Sequence, residues 1–158
     1  MDKKLSDLVA VMDRLRDEKG CPWDLQQTHE TLKPYLIEES YEVVEAIESG
    51  NPQLLKEELG DLLFQIVFHA RLAKERGEFT LDDVIHHVIE KMVRRHPHVF
   101  AGHEAKDAED VLQKWEKIKS GEKQRESVLD GIPKQLPTLI RAKRLQERAA
   151  RVGFDWPH

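Results

Sequence analysis

The chain has 158 residues, of which 39% are hydrophobic and 35% charged, enough for one domain with a hydrophobic core. Its formal net charge of −5 argues against general binding to nucleic acid or to an anionic membrane. The single cysteine, Cys21, excludes an intrachain disulfide and argues against a cysteine-based zinc site. No apolar run reaches the ~20 residues of a membrane-spanning helix, and the N-terminus is not an apolar signal segment. We therefore predict a cytoplasmic location.

Six helices are predicted from apolar residues at helical spacing, from prolines at helix starts and from glycines at helix ends. In chain order they cover about residues 3–17, 28–49, 52–76, 80–95, 107–121 and 136–151. No stretch alternates with a period of two, so the predicted class is an all-α bundle of paired antiparallel helices. We expect the second, third and fourth helices to form its core, and residues 122–135 to be a loop or linker.

Two neighbouring predicted helices each carry a pair of acidic residues three positions apart. The pairs are Glu39 with Glu42 and Glu58 with Asp61. A spacing of three puts both members on one helix face, and the short turn at residues 50–51 lets the two pairs face each other. Four such carboxylates repel one another unless a cation lies between them. Oxygen ligands without histidine or cysteine favour Mg²⁺ or Mn²⁺.

The alternative is that these glutamates form a solvated helix face, which is the usual role of such runs. The predicted helix 52–76 is apolar nearly all round from Leu59 to Ala73, which is typical of burial on most sides. Asp61 falls on the same stripe as Leu54, Phe64, Phe68 and Leu72. An unpaired carboxylate buried there would be costly or would stay protonated. We therefore favour a metal site, and we expect Asp61 to lie in apolar surroundings.

The C-terminal end of the predicted helix 80–95 is basic. Lys91, Arg94 and Arg95 are spaced so that all three can point to one side, where they would suit a phosphate group. Cations also stabilise the C-terminus of a helix by themselves. The spacing alone leaves both interpretations open.

Two tryptophans are candidates for ligand contact. Trp115 fits an apolar stripe with Val111, Leu112 and Ile118, so its pattern favours a core position over stacking on a base. Trp23 lies in a Cys-Pro-Trp-Asp loop outside any apolar periodicity, and loop aromatics are better candidates for binding a ligand.

In combination these motifs resemble the MazG-type nucleoside triphosphate pyrophosphohydrolases of the all-α NTP pyrophosphatase superfamily. The E-E-x-x-E and E-x-x-D motifs of that family correspond here to Glu38-Glu39-Ser40-Tyr41-Glu42 and Glu58-Leu59-Gly60-Asp61. The resemblance extends over residues 20–24, 57–65, 91–100 and the segment around Trp115, and it covers most of residues 1–120. It is strongest with the first of the two tandem domains that full-length members carry.

The resemblance implies Mg²⁺-dependent hydrolysis of nucleoside triphosphates to the monophosphate and pyrophosphate. Since the sequence shows no base-reading pattern beyond its aromatic residues, we expect a broad range of bases. The resemblance implies that the metal ligands are Glu39, Glu42, Glu58 and Asp61. Glu38 or Glu57 would orient the attacking water, and the substrate would contact Lys91, Arg94, Arg95 and Trp115. The alternative is a catalytically weak regulatory or dimerisation domain that binds nucleotide and metal.

The resemblance also suggests how the chain is organised. We expect residues 1–121 to be the pyrophosphohydrolase domain and residues 122–158 to be a linker and a C-terminal helix. The tail Gly153-Phe154-Asp155-Trp156 echoes residues 20–24, which indicates the start of a second tandem copy, a docking segment or a chance similarity. Two helical hairpins make a small bundle, so we expect at least a homodimer that completes a four-helix core.

Overall fold

The computed structural model describes residues 3–122, 127, 129–150 and 152–154, and these form eight α-helices and no strand. The predicted all-α class is confirmed. The helices are α1 (Leu5–Leu15), α2 (Pro22–Gln26), α3 (Lys33–Ser49), α4 (Pro52–Glu75), α5 (Leu81–Arg95), α6 (Pro97–Phe100), α7 (Ala108–Gly121) and α8 (Thr138–Ala150). The chain divides into two compact units, Met1–Glu90 and Lys91–His158. Among the described helices, none combines the length and the hydropathy that crossing a membrane requires.

The first unit is organised around the hairpin of α3 and α4, which pack along each other. Gly50 ends α3 in the left-handed conformation at φ 64°, which glycine adopts without a steric penalty. Asn51 then caps α4, and its side-chain oxygen accepts hydrogen bonds from the amides of Gln53 at 3.0 Å and Leu54 at 3.4 Å. Pro52 occupies the first helical position, where its missing N–H costs nothing. These residues make α3 and α4 antiparallel neighbours, as the sequence predicts.

The core of this unit is centred on α1 and α4. Its buried side chains are Met12, Leu32, Val67, Phe68 and Leu72, with Leu8, Val9, Phe64 and Leu81 packed against them. The prediction that α5 is a core helix is therefore wrong for this cluster, to which α5 contributes only its first residue. The helix α1 takes that place because Met12 is fully buried against α4.

In the second unit, α7 begins where predicted. The Asp107 side chain accepts a hydrogen bond from the amide of Asp110 at 2.8 Å and so caps the helix. The helix α8 lies within the range predicted for the last helix. The residues Asp155 and Trp156 of the tail echo lie outside the described residues.

Candidate functional site

Three carboxylates of the hairpin converge between α3 and α4. Glu39 comes from α3, and Glu58 and Asp61 come from α4; one oxygen of each lies within 4.8 Å of the others. The antiparallel packing of the two helices brings these side chains together, because each pair is spaced about one turn apart. In the described part of the chain, no other set of three Asp, Glu, His or Cys side chains converges in this way.

The electrostatics of the cluster include Glu42 as a fourth member. Burial raises the pKa of Glu39, and a hydrogen bond with Glu42 and the charges of Glu42, Asp61 and Glu58 raise it further. Burial also raises the pKa of Glu58, and the charges of Glu42, Glu57 and Asp61 raise it further. Glu39 and Glu58 therefore hold their negative charge less readily than isolated carboxylates, first because of burial and then because like charges lie close to them.

This donor set suits a hard divalent cation. The converging atoms are carboxylate oxygens without nitrogen or sulfur, which is the ligand type that Mg²⁺ and Mn²⁺ prefer. A cation would also offset the like-charge repulsion that adds to burial in raising the pKa values of Glu39 and Glu58. The residues able to hold it are Glu39, Glu58 and Asp61, with Glu42 within interaction range of the first two.

The prediction that Asp61 is buried among apolar residues is wrong for the single chain. Asp61 is exposed, and so is one side of the first half of α4. The exposed fractions of the apolar side chains there are Leu59 48%, Leu63 39% and Ile66 42%. The apolar residues of α4 thus form two faces. One face packs into the core with Val67, Phe68 and Leu72, and the other face is exposed.

Trp23 lies on the short helix α2 and not in a loop as predicted, and its ring contacts the carboxylate-bearing helix α3. The Trp23 and Tyr35 rings meet edge to face, with centroids 5.8 Å apart and planes at 80°. Tyr35 precedes Glu39 by four residues, so the contact is about one helical turn from the cluster. The Trp23 side chain remains 49% exposed, which leaves one surface of the indole available for a ligand.

Polar groups missed by the sequence analysis continue along α4 beyond Asp61. Gln65 is 7% exposed, and within the described residues its Oε1 has no hydrogen-bond partner. The same is true of Nε2 of His69, whose Nδ1 lies 2.8 Å from Nδ1 of His29. Burial lowers the pKa of His69. The apolar run from Leu59 to Ala73 concealed these polar positions, because its hydrophobic residues dominate the pattern.

In the second unit, two of the predicted phosphate-binding residues share one carboxylate. Arg94 Nε donates to Glu122 Oε1 at 2.8 Å, and Arg95 Nη2 donates to Glu122 Oε2 at 2.5 Å. These hydrogen bonds lower the pKa of Glu122 to about 2. Glu122 was not identified from the sequence, since an ion pair across 27 residues leaves no periodic signal.

Trp115 is half-buried, and two cations of the second unit contact its ring. The Arg95 guanidinium carbon is 5.0 Å from the ring centroid, and the Lys119 ammonium is 4.5 Å from it. Arg95 is itself buried, with 9% exposed. Lys91 is half-buried, whereas Glu38 in the first unit is exposed on α3. The roles assigned to these residues remain predictions.

Comparison with known proteins gives consistent matches. The family described as "MazG nucleotide pyrophosphohydrolase domain" matches residues 27–100. The chain is 52% identical over 153 residues to "Nucleoside triphosphate pyrophosphohydrolase/pyrophosphatase MazG" of Thermotoga maritima, a match that covers 95% of this chain and 58% of that protein. It is 50% identical over 153 residues to "Nucleoside triphosphate pyrophosphohydrolase" of Escherichia coli K12, with coverages of 94% and 58%.

A solved structure is similar as well. The crystal structure of a mazG-related protein from Thermotoga maritima aligns with a TM-score of 0.61 and 30% identity. The alignment covers 73% of this chain and 98% of that one. The chain spans 58% of the length of the two curated relatives described above.

Proposed function

We propose that this chain, which belongs to the MazG family of nucleotide pyrophosphohydrolase domains, hydrolyses nucleoside triphosphates to the monophosphate and pyrophosphate. The observation that supports this most is the convergence of Glu39, Glu58 and Asp61, with Glu42 beside them. The curated relatives carry this activity in their names, but they are longer than this chain, so the activity of the chain itself is our proposal.

The proposed cofactor is Mg²⁺, with Mn²⁺ as a substitute. Its ligands would be Glu39, Glu42, Glu58 and Asp61. When bound, such an ion supplies positive charge to the triphosphate oxygens and lowers the pKa of a coordinated water. The packing of α3 against α4 would hold these oxygen ligands at a fixed spacing.

The other predicted residues complete the proposed site. A carboxylate oxygen of Glu38, or of Glu57, would accept a hydrogen bond from the water and orient it toward the α-phosphorus. Lys91, Arg94 and Arg95 would bind the phosphates and stabilise the charge on the pyrophosphate that leaves.

The aromatic residues Trp23 and Trp115 would contact the nucleoside. Stacking is tolerant of base identity because every base offers a π-face, which supports a broad base specificity. We further propose that the protein acts in the cytoplasm, as at least a homodimer.

Replacing Asp61 with asparagine tests the metal-ligand assignment. Asp61→Asn keeps the shape of the side chain but removes a charged ligand, so turnover in Mg²⁺ should fall by about a hundredfold or more. The assay is pyrophosphate release from each canonical triphosphate, with melting temperature as the measure of folding. Glu48→Gln, which changes an exposed carboxylate of α3 outside the cluster, is the control and should retain activity. Full activity of Asp61→Asn would refute the ligand assignment.

The same assay separates the proposal from its rival, a regulatory domain that binds nucleotide and metal without turnover. Calorimetry with Mg²⁺ and nucleotide gives the binding heat independently of catalysis. Binding without pyrophosphate release in the wild-type chain would favour the rival. Neither binding nor release would refute both.

A further inference from the structure

A buried arginine of the first unit joins three parts of the chain. Arg16 ends α1, and its side chain is only 7% exposed. Its Nε and Nη2 donate to the two carboxylate oxygens of Glu75, both at 2.7 Å. Its Nη1 donates to the backbone carbonyl of Asp24 in α2. The guanidinium also lies over the ring of Phe68, 5.5 Å from its centroid.

The carboxylate that holds Arg16 is fixed in turn. Glu75 is the last residue of α4 and also accepts a hydrogen bond from Arg71 Nε at 3.0 Å. Arg71 reaches α1 through Asp13, with Nη1 and Oδ1 2.6 Å apart. The hydrogen bond from Arg16, followed by that from Arg71, keeps the pKa of Glu75 below its usual value. On the side of α4, the guanidinium of Arg16 is therefore held by Glu75, which Arg71 holds in turn.

On its other side, Arg16 holds the backbone next to Trp23. Asp24 follows Trp23 and is itself buried, with 7% exposed. The helix α2 has five residues, too few to be stable by its own hydrogen bonds. Only the chain around it can fix its position. The Cys21 amide bonded to the Leu15 carbonyl at 2.8 Å fixes the entry to α2, and Arg16 fixes its middle.

We infer that Arg16 is a positioning residue for the nucleotide, because it holds α2 where the indole of Trp23 stands against Tyr35, one helical turn from Glu39. The inference rests on the proposed function, in which Trp23 contacts the substrate. Arg16 itself does not touch the reacting atoms. Its loss should therefore leave the chemical step intact and raise the entropic cost of ordering Trp23 when the nucleotide binds.

The first experiment replaces arginine with an uncharged, unbranched side chain. Arg16→Met should weaken binding of α,β-methylene ATP, measured by calorimetry in Mg²⁺, by about tenfold, since it removes charge-assisted hydrogen bonds. KM for ATP should rise in parallel, and kcat should stay within about twofold of wild type. Arg14→Met, which removes an exposed arginine two residues away on α1, is the matched control and should leave both unchanged.

A double-mutant cycle shows whether the effect acts through Trp23. Trp23→Ala should weaken binding of the analogue, and adding Arg16→Met to it should weaken binding no further. Arg16→Lys keeps the charge but cannot bond Glu75 and Asp24 at the same time. Its binding of the analogue should therefore be nearly as weak as that of Arg16→Met. If Arg16→Met is too unstable to assay, Arg16→Lys and Glu75→Gln take its place in the cycle.

A spectroscopic measurement reports the position of the indole without turnover. In a variant whose only tryptophan is Trp23, acrylamide quenching of its fluorescence should increase when Arg16→Met is added. A purely stabilising role of Arg16 would lower the melting temperature without changing the quenching or the affinity.

Several results would overturn the inference. These are unchanged affinity in Arg16→Met, full rescue by Arg16→Lys, or an undiminished effect in the Trp23→Ala background. Unchanged affinity in Trp23→Ala would also overturn it, while hydrolysis by the wild-type chain would still stand. Conversely, absence of turnover in the wild type would refute the proposed function, and the binding cycle would still decide the role of Arg16.

Discussion

Glu122 neutralises two arginines that are candidates for binding phosphate. It binds Arg94 and Arg95 at the same time, and Arg95 lies against the ring of Trp115. If the two arginines bind phosphate, as we propose, the triphosphate must replace Glu122 on them. In the structure the carboxylate occupies the position that an anion would take, which is the kind of contact that an arginine pair favours.

The low pKa of Glu122 makes the stability of the second unit depend on pH. Its folded-state pKa is about 2, against an ordinary value of 4.5. A depressed carboxyl pKa contributes stability above the ordinary value, and this contribution is lost as the pH falls from 4.5 through about 2. Glu122→Gln should therefore melt at a lower temperature than wild type at pH 7, and the difference should vanish toward pH 2.

Circular dichroism melts of wild type and Glu122→Gln between pH 7 and pH 2 measure this effect. Glu104→Gln, an exposed glutamate of the same unit, controls for the loss of one negative charge. A melting difference that stayed constant over the whole range would show that the ion pairs of Glu122 do not contribute as described.

At the level of elements, the hairpin of α3 and α4 determines whether the carboxylates meet. Its turn depends on Gly50 in the left-handed conformation and on the cap at Asn51. Both features can be predicted from the sequence, because glycine and asparagine have local conformational preferences at helix ends. The pairing of Glu39 with Glu58 and Asp61 then follows from helix periodicity and antiparallel packing.

The cap at Asn51 gives a direct test of that hairpin. Asn51→Ala should lower the free energy of unfolding by about 1 kcal/mol, because the amides of Gln53 and Leu54 lose their acceptor. Asn51→Ser supplies another cap oxygen and should recover most of the loss. Urea denaturation followed by circular dichroism measures both. Equal stability of Asn51→Ala and wild type would show that the cap does not contribute to the hairpin.

Other elements could not be predicted for physical reasons. The helices α2 and α6 have five and four residues, which is too short for apolar periodicity to reveal them. Their prolines, Pro22 and Pro97, indicated breaks in the chain but equally suit the first position of a short helix. The contribution of Met12 to the core could not be predicted either. The amphipathic pattern shows that one side of α1 is buried, but it does not show which helix packs against that side.

For the whole molecule, the most informative difference between prediction and structure is the exposure of Asp61 and the apolar residues around it. The helix pattern of α4 predicts burial, but it does not distinguish cover by the same chain from cover by a second one. The exposed apolar side chains form one stripe on each helix: Ile37, Tyr41, Val44 and Ile47 on α3, and Leu59, Leu63 and Ile66 on α4. Contiguous exposed apolar surface of this kind marks an interaction site.

We propose that these stripes pair with those of a second copy to form the four-helix core. Tyr41 is 53% exposed, so Tyr41→Glu should leave the single chain folded and shift a dimer to monomer in sedimentation velocity. Val11→Glu, at an apolar side chain on α1 with 51% exposed, is the matched control and should leave the oligomer unchanged. A monomeric wild type, or a Tyr41→Glu variant that remains dimeric, would contradict this arrangement.

We propose that the carboxylate cluster supports hydrolysis between the α and β phosphates of the substrate. The most direct measurement is chromatographic identification of the products that the wild-type chain forms from each canonical triphosphate in Mg²⁺, with a metal-free reaction chelated by EDTA as control. Nucleoside monophosphate and pyrophosphate should form in equal amounts, and no products should form in EDTA. Formation of nucleoside diphosphate and inorganic phosphate, or no turnover of any triphosphate in Mg²⁺, would contradict this proposal.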